Sequence, residues 1–441
     1  MRKTKHWLMT IAALLCSFTV SAHDFVDDGI YYNFLSKEDK TVEVTYYGSY
    51  PNTSNEYHGH VVIPESIIYG GERYEVVAIK QNAFAFCEDV TGVTIPRTIK
   101  SIGIAAFGVN EVETDFTTVH ITDLEAWCRI DFGNIASNPL SHAEYLYLNG
   151  ELITDLVIPE GVDEIKDYAF YGFSGSVTIP SSVTKIGTDA FRGITSVHIS
   201  DLKAWCNIDF SAALLYYANN LYLNGELVTE LIIPEGVTEI KNLAFAYCTS
   251  IESVSIPSTV VSIANNAFLG CSELANISVE EGNLVYDSRE NCNVVIETST
   301  NSLYLGCKNT IIPESVANIG DHAFQGSSLV SIAIPNSVTN IGEYAFSGCS
   351  SLNSITIPES VTNIGERAFQ DCSSLNSIII PNSVENIGEG AFAACGLTSF
   401  VIPESLTTIQ QRTFSGCSSL TCITIPSNIT SIGYEAFYDC I

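Results

Sequence analysis

The sequence predicts a repeat solenoid that is mainly β, with short turns and helices, because one pattern recurs at a near-constant interval. Six copies of this pattern, 22 or 23 residues apart, fill residues 313–441. Twelve of the fourteen prolines take the same place in the pattern, and the last six are Pro313, Pro335, Pro358, Pro381, Pro403 and Pro426. One coil of this length buries too little apolar surface to offset the entropy of ordering it, so the coils must be stable as a stack.

The spacing of apolar residues within one copy explains how a coil forms. Leu352, Ile355 and Ile357 follow the Leu-x-x-Leu-x-Leu spacing, which predicts a short strand whose alternate side chains point to one interior. Pro358 and Gly365 are expected at the corners of the coil, because one has a fixed φ and the other has no Cβ. The small residues between the apolar positions should then face solvent.

These outward positions are the candidate binding surface of the regular repeats. They carry small hydroxyl and aliphatic groups: Ser331, Ser354, Ser377, Ser399, Thr356 and Ile379. No general base or acid accompanies them, and the chain contains no motif of a phosphate loop, a dinucleotide site or a zinc protease. We therefore expect a protein that is not an enzyme, with no catalytic residue and no cofactor.

The first 22 residues are predicted to be a signal peptide. Arg2, Lys3 and Lys5 precede an apolar run, and Ala22 ends a stretch of small residues suited to cleavage. Lipid attachment at Cys16 is the alternative, but a leucine precedes it where a small residue is needed. No later segment has 18 uninterrupted apolar residues, so we expect no membrane span.

A longer unit is present twice between residues 118 and 249. The segment Val119–Phe132 returns as Val197–Phe210 with the pair Trp-Cys at the same place. Asp123 and Asp201 are predicted N-caps of short helices that carry these pairs. Trp127, Trp205, His120 and His198 are expected to be structural, and the dipeptides Asn149-Gly150 and Asn224-Gly225 each predict a type I′ hairpin.

The 14 cysteines of an exported chain would ordinarily indicate disulfides, but their spacing indicates otherwise. Five of them occupy one repeat position: Cys349, Cys372, Cys395, Cys417 and Cys440. Equivalent side chains on neighbouring coils point in parallel, although their Cα atoms are close enough for a bridge. A ladder of buried, reduced thiols is therefore expected, rather than disulfides or metal ligands.

The charge balance is strongly acidic, with 19 basic and 50 acidic residues and a net charge of −31. Nucleic acid is an improbable partner for such a chain, whereas basic proteins or divalent cations are compatible. One repeat position holds four consecutive acids: Asp321, Glu343, Glu366 and Glu389. This column is either a solvated face or a weak strip for a cation such as calcium or for a basic partner.

The repeat Leu-x-x-Ile-x-Ile-Pro-x-Ser-Val-x-x-Ile-Gly-x-x-Ala-Phe-x-x-Cys resembles the BspA-like family of bacterial surface leucine-rich repeat proteins. The resemblance implies an N-terminal β cap followed by leucine-rich repeats. It also implies a cell-surface or secreted protein, an adhesin that binds host or bacterial proteins. A glycan-binding protein is the alternative, based on aromatic residues of the longer units: Tyr145, Tyr147, Tyr217 and Tyr222.

The predicted organisation then follows the chain from the signal peptide to the regular repeats. The segments are the signal peptide (1–22), the N-terminal β cap (23–60), the first leucine-rich repeats (61–117), two elongated Trp-containing units (118–249), repeats with a hairpin insertion (250–312) and regular repeats (313–441).

Overall fold

The computed structural model describes residues 23–47, 57–85, 87–108 and 116–440. These residues form a β-solenoid of about 15 turns with little helix, so the predicted fold class is confirmed. The predicted signal peptide lies outside the described residues. None of the helices in the described part of the chain is long and apolar enough to cross a membrane.

The strands are short and follow one another along the whole array. Up to residue 152 they are β1 (Phe25–Asp27), β2 (Ile30–Ser36), β3 (Thr41–Thr45), β4 (Gly59–Val62), β5 (Ser66–Tyr69), β6 (Glu72–Ile79), β7 (Val90–Ile95), β8 (Ser101–Ile102), β9 (Thr118–Ile121), β10 (Asp131–Phe132), β11 (Tyr145–Leu148) and β12 (Glu151–Leu152). Up to residue 306 they are β13 (Asp155–Val157), β14 (Glu164–Ile165), β15 (Ser176–Ile179), β16 (Lys185–Ile186), β17 (Ser196–Ile199), β18 (Asp209–Phe210), β19 (Leu221–Leu223), β20 (Glu226–Leu227), β21 (Glu230–Ile232), β22 (Glu239–Ile240), β23 (Ser253–Ile256), β24 (Ser262–Ile263), β25 (Asn276–Val279), β26 (Tyr286–Asp287), β27 (Val294–Glu297) and β28 (Ser302–Gly306).

The regular repeats and the helices complete the set of elements. The remaining strands are β29 (Asn318–Ile319), β30 (Ser331–Ala333), β31 (Asn340–Ile341), β32 (Ser354–Thr356), β33 (Asn363–Ile364), β34 (Asn386–Ile387), β35 (Ser399–Val401), β36 (Thr408–Ile409), β37 (Cys422–Thr424) and β38 (Ser431–Ile432). The helices are α1 (Leu124–Cys128), α2 (Leu202–Cys206) and α3 (Leu215–Ala218), with 3-10 turns at Ile135–Ser137, Pro139–Ser141 and Arg289–Asn291.

Each coil has three sides, which are illustrated by the coil that begins with β15. The long strand β15 pairs in parallel with β13 and β17, and this side of the array is called the long-strand face. The two-residue strand β16 pairs in parallel with β14 and β18 and lies on the short-strand face. The turn that carries Phe191 closes the coil, and the column of such turns is called the turn face.

Phenylalanine side chains from the turn face fill the middle of the solenoid. The rings of Phe346 and Phe369 are stacked with centroids 5.2 Å apart and planes 2° from parallel. The backbone N–H of Phe346 donates to the carbonyl oxygen of Ala368 in the next coil at 2.8 Å. Neighbouring regular repeats are therefore held together on this side by backbone bonds and by a column of stacked rings that runs from Phe324 to Phe437.

The N-terminal segment joins the short-strand face. Strands β1, β2 and β3 form an antiparallel sheet, and β3 pairs in parallel with β6, which in turn pairs with β8. Strands β5 and β6 form a hairpin across Gly70-Gly71. Strand β4 pairs in parallel with β7 on the long-strand face, and this pairing starts at Gly59.

The predicted hairpin insertion is formed by β27 and β28, and it divides the hydrophobic core in two. Val295 and Cys307 pack in a cluster that extends back to Phe25, whereas Val294, Ile296 and Leu303 pack in a cluster that extends to Ala436. Because side chains alternate across a strand, β27 presents one side to each cluster. The hairpin therefore separates two hydrophobic cores.

The cysteine ladder is reproduced in the structure. Among the described residues other than Cys87, twelve cysteines have free thiols, and ten of these are buried. Cys422 is exposed and Cys440 is half-buried. The prediction of buried thiols in place of disulfides is confirmed for the ten buried cysteines, whereas Cys440, which was expected in the ladder, is a free thiol that is only half-buried.

Candidate functional site

The exposed side of the long-strand face is an ordered surface that the repeats create. Strand β17 shows how the sequence builds it, since Val197 and Ile199 are buried while Ser196 and His198 point outward. In-register parallel pairing places outward residues of successive strands beside one another. Columns of side chains therefore run along the array, about 4.8 Å apart.

Two of these columns are near copies of each other. The first runs across β4, β7, β9 and β11, and the second across β13, β15, β17 and β19. The aligned residues have the same types in the same order: Val62, Thr94, His120 and Tyr147 in the first, and Val157, Thr178, His198 and Tyr222 in the second. We call them the first and second twin columns.

Each twin column contains a stacked pair of rings. His120 and Tyr147 have centroids 4.5 Å apart and planes 5° from parallel, while His198 and Tyr222 have centroids 4.6 Å apart and planes 12° from parallel. The spacing of neighbouring strands matches the thickness of two stacked rings. Stacking covers one face of each ring and leaves the ring edges, with their nitrogen and hydroxyl groups, toward solvent.

The first twin column has an additional histidine at its edge. His60 Nε2 lies 2.8 Å from Thr94 Oγ1, and the His60 ring meets the ring of His120 edge-on at 4.8 Å and 88°. Gly92 leaves room for this contact, because a Cβ there would lie 2.8 Å from His60 Nδ1 and 2.1 Å from Thr118 Oγ1. Burial, followed by the charge of His120, lowers the pKa of His60, so this imidazole is neutral at pH 7.

In the second twin column the histidine is contacted by a serine side chain instead of by a second histidine. Ser196 Oγ lies 3.1 Å from His198 Nε2. Asp155 stands at the register position of His60 and accepts a hydrogen bond from Ser176 Oγ at 2.5 Å. The two columns thus present the same rings but differ in the charge of their edge.

The interiors of the two elongated units are also alike. Trp127 and Trp205 are buried, and their indole N–H groups donate to the carbonyl oxygens of Ala169 at 2.7 Å and Ala244 at 2.9 Å. Asp123 accepts a hydrogen bond from the N–H of Ala126 at 3.0 Å, and α2 begins with an equivalent cap. The sequence-based assignments of N-caps and buried tryptophans are confirmed.

The surfaces of the two units differ on the turn side. Residues 133–144 of the first unit form two 3-10 turns, whereas residues 211–219 of the second unit contain α3 and have an unrelated sequence. The long-strand face, in contrast, keeps the same ring pair in both units. Within this one chain, the two units therefore share surface residues on the long-strand face and also on the short-strand face, where Lys166–Asp131 and Lys241–Asp209 are equivalent ion pairs, but they differ on the turn side.

The four tyrosines considered for glycan binding are distributed over two sides of the array. Tyr147 and Tyr222 belong to the ring pairs, and Tyr145 lies beside the first pair with its hydroxyl donating to Glu144 at 2.9 Å. Tyr217 lies on the turn side against Tyr216, with ring centroids 5.1 Å apart. The structure therefore does not gather the four rings into one platform.

The serine column of the regular repeats is exposed, but it is not one continuous sheet. Ser331 and Ser354, with Thr356, lie on the paired strands β30 and β32, and Ser399 lies on β35. Ser377 and Ile379 are exposed in a segment without strand pairing, which corrects their assignment to a strand. The next coil is one residue shorter here, and Gly396 lies so close to Ser373 that a Cβ would come 2.1 Å from its carbonyl oxygen.

Three of the four carboxylates in the acidic column of the regular repeats have partners within the protein. Asp321 Oδ1 accepts a hydrogen bond from the backbone N–H of Glu343 at 2.8 Å, and Glu366 lies 3.3 Å from the guanidinium of Arg367. Glu389 accepts a hydrogen bond from Gln411 Nε2 at 3.0 Å. In the part of the chain that the structure describes, no three His, Cys, Asp or Glu side chains converge to hold a metal, and the calcium strip stays a prediction.

The fold and this surface define a repeat scaffold that displays side chains along one face, and comparison with known proteins gives the family. The chain belongs to the BspA-type leucine-rich repeat family, whose repeat region matches residues 72–143, 141–275, 216–306, 296–421 and 385–441 in six copies. A comparison with curated proteins found no match.

Solved structures with similarity to the chain are bacterial leucine-rich repeat proteins. A leucine-rich cell surface protein from Faecalibacterium prausnitzii is 25% identical, with a TM-score of 0.43 and coverage of 92% of this chain and 96% of that one. A leucine-rich repeat protein from Bacteroides ovatus is 26% identical, with a TM-score of 0.34 and coverage of 95% and 93%. The pneumococcal vaccine antigen PcpA is 18% identical, with a TM-score of 0.35 and coverage of 93% and 87%.

Proposed function

We propose that this chain is an exported cell-surface or secreted protein that binds a protein partner through the twin columns of its long-strand face, and that it serves as an adhesin. The proposal rests on the observation that the two elongated units resemble each other on some sides and not on others. They share their half-buried ring pairs on the long-strand face and differ on their turn side.

Folding alone does not require this likeness. Buried residues of the two units must agree because each has to fit the same coil, but a histidine and a tyrosine that face solvent make no such demand. A binding role gives a reason for keeping both pairs. Two equal sites on one rigid array also allow a partner that carries its recognition element twice to bind with higher avidity.

The composition of the surface favours a protein over other partners. Val157, which begins the second twin column, and Ile232, on β21 of the long-strand face, are each 60% exposed. Exposed aliphatic groups beside tyrosine and histidine edges are typical of protein interfaces, in which aromatic residues contribute most of the binding energy. The rigidity of the stacked rings reduces the entropy lost when a partner binds.

Glycan binding is the less favoured function because of the same stacks. A sugar ring packs on an open aromatic face, whereas Tyr147 and Tyr222 each have one face covered by a histidine. Export rests on the predicted signal peptide of residues 1–22, and the adhesin role rests on membership of a family with surface proteins.

Binding of residues 23–441 to arrays of immobilised extracellular proteins and of glycans tests the proposal. We expect saturable binding to a protein, weakened by His120→Ala with Tyr147→Ala and abolished when His198→Ala and Tyr222→Ala are added. Tyr216→Ala is the matched control, because it removes an exposed tyrosine from the turn side. Saturable binding to glycans alone, or loss of binding only in the Tyr216 variant, would overturn the proposal.

A further inference from the structure

A groove with a volume of about 600 Å³ lies at the N-terminal end of the long-strand face. One wall is the turn Asp27–Gly29 between β1 and β2, and the other is formed by β4 with its outward residues His60 and Val62. Its size falls within the range of sites that take a small ligand or a large side chain. The groove is continuous with the proposed interface, because Val62 begins the first twin column.

The groove is negatively charged at one end. Asp27 and Asp28 are exposed, and neither carboxylate makes an ion pair or a side-chain hydrogen bond with another described residue. Burial, followed by the charges of Asp27 and Asp28, raises the pKa of Tyr32, which also lines the groove.

The other polar residues of the groove do not balance this charge. His58 Nδ1 lies 3.1 Å from Asp89 and so is directed to a carboxylate outside the groove. His60 is bound to Thr94 and is neutral at pH 7. No lysine or arginine is found among the described residues that line the groove.

We propose that this groove binds a lysine or arginine side chain of the protein partner that lies along the long-strand face. The inference rests on the proposed function and specifies its partner as one that presents a basic side chain at this end of the array. Ile30 and Val62 offer an apolar wall for the aliphatic stem of such a side chain, while Asp27 and Asp28 face its charged head. A metal ion is a poorer occupant, since the described residues provide no group of three suitable ligands.

The test uses a fluorescein-labelled peptide with four arginines and its counterpart with four citrullines, which has nearly the same shape but no charge. Fluorescence anisotropy at 150 mM NaCl measures their binding to residues 23–441. The groove variant is Asp27→Asn with Asp28→Asn, in which asparagine tolerates the φ of 43° at position 28. Glu314→Gln with Glu359→Gln is the matched control, because it removes two exposed charges from the regular repeats.

We expect the parent to bind the arginine peptide, and the groove variant to bind it at least tenfold more weakly. The control variant should stay within twofold of the parent, and the citrulline peptide should not bind. Equal weakening in both variants would mean attraction to the overall charge of −31 and would overturn the inference, as would absence of binding to the parent.

The inference and the proposed function can fail separately. The variant His198→Ala with Tyr222→Ala leaves the groove intact. It should therefore still bind the arginine peptide, even if it no longer binds the protein partner. Partner binding that is unchanged in the groove variant would overturn the inference and leave the twin columns as the interface. Partner binding that is unchanged when all four rings are removed would overturn the proposed function itself.

Discussion

The thiol of Cys349 donates a hydrogen bond to the backbone carbonyl oxygen of Phe324 in the preceding coil, with Sγ and O 3.0 Å apart. The contact recurs along the array at 3.0–3.2 Å: Cys271 with Phe245, Cys372 with Phe346, Cys395 with Phe369, Cys417 with Phe392 and Cys440 with Phe414. Each of these cysteines therefore joins two coils through a donor, without a covalent bond.

Replacing Cys372 by alanine should lower the free energy of unfolding by about 1–2 kcal/mol, because the hydrogen bond to Phe346 is lost and a small cavity is left. Cys422→Ala, at an exposed position of β37, should change it by less than about 0.5 kcal/mol. Urea denaturation followed by circular dichroism measures both. Equal effects would contradict the structural role of the ladder.

Thiol reactivity should separate Cys422 from the buried cysteines. Burial raises the pKa of Cys417 to about 11 and, with smaller effects from nearby charges, the pKa of Cys128 and Cys206 to about 12, so little thiolate is present at pH 8. With Ellman's reagent, we expect one fast group in the native protein, absent in Cys422→Ser. The remaining thiols should react after denaturation without reductant. Five or six disulfides found under that condition would refute the ladder.

The two tryptophans should respond unequally to loss of their N–H groups. In Trp127→Phe the carbonyl oxygen of Ala169 keeps a donor, since Asn138 Nδ2 lies 3.0 Å away. In Trp205→Phe the carbonyl of Ala244 loses the one hydrogen bond that the described residues give it. A buried polar group without a partner costs about 1–3 kcal/mol, so Trp205→Phe should melt at a lower temperature than Trp127→Phe. Equal melting temperatures in calorimetry would contradict this prediction.

Stability should fall with acid partly because of His60. The folded state holds this imidazole neutral with a lowered pKa, so the unfolded state binds more protons at and below pH 6.5. The stabilisation is complete above pH 6.5 and decreases as the pH falls below it. We expect the melting temperature of the parent to drop more between pH 7.5 and 5 than that of His60→Gln. A His60 ring that titrates above pH 6.5 by NMR would refute this.

Much of the fold could be predicted because the residues that determine each coil lie close together in the sequence. Alternating apolar residues specify the strands, Asp123 and Asp201 specify helix starts, and Asn149-Gly150 specifies a hairpin. These signals are local in the sequence, so they can be interpreted one coil at a time.

The candidate site could not be predicted in the same way, since it depends on register between strands far apart in sequence. His60 meets His120 across β7 only because position 92 is a glycine. The pairing of His198 with Tyr222 requires the strand β19, whose offset depends on the irregular segment before it. The loss of pairing at Ser377 likewise follows from a one-residue difference in the next coil.

Because the hairpin of β27 and β28 separates the two hydrophobic clusters, thermal unfolding should indicate on which side of the hairpin a ligand binds. Because the hydrophobic clusters on its two sides share no residue, we expect heat to melt them in two calorimetric steps. A ligand stabilises only the part that it contacts. A partner bound at the twin columns would then raise the transition temperature of the N-terminal cluster and leave that of the other cluster unchanged. The melting curve would therefore show which segment of the array the partner occupies.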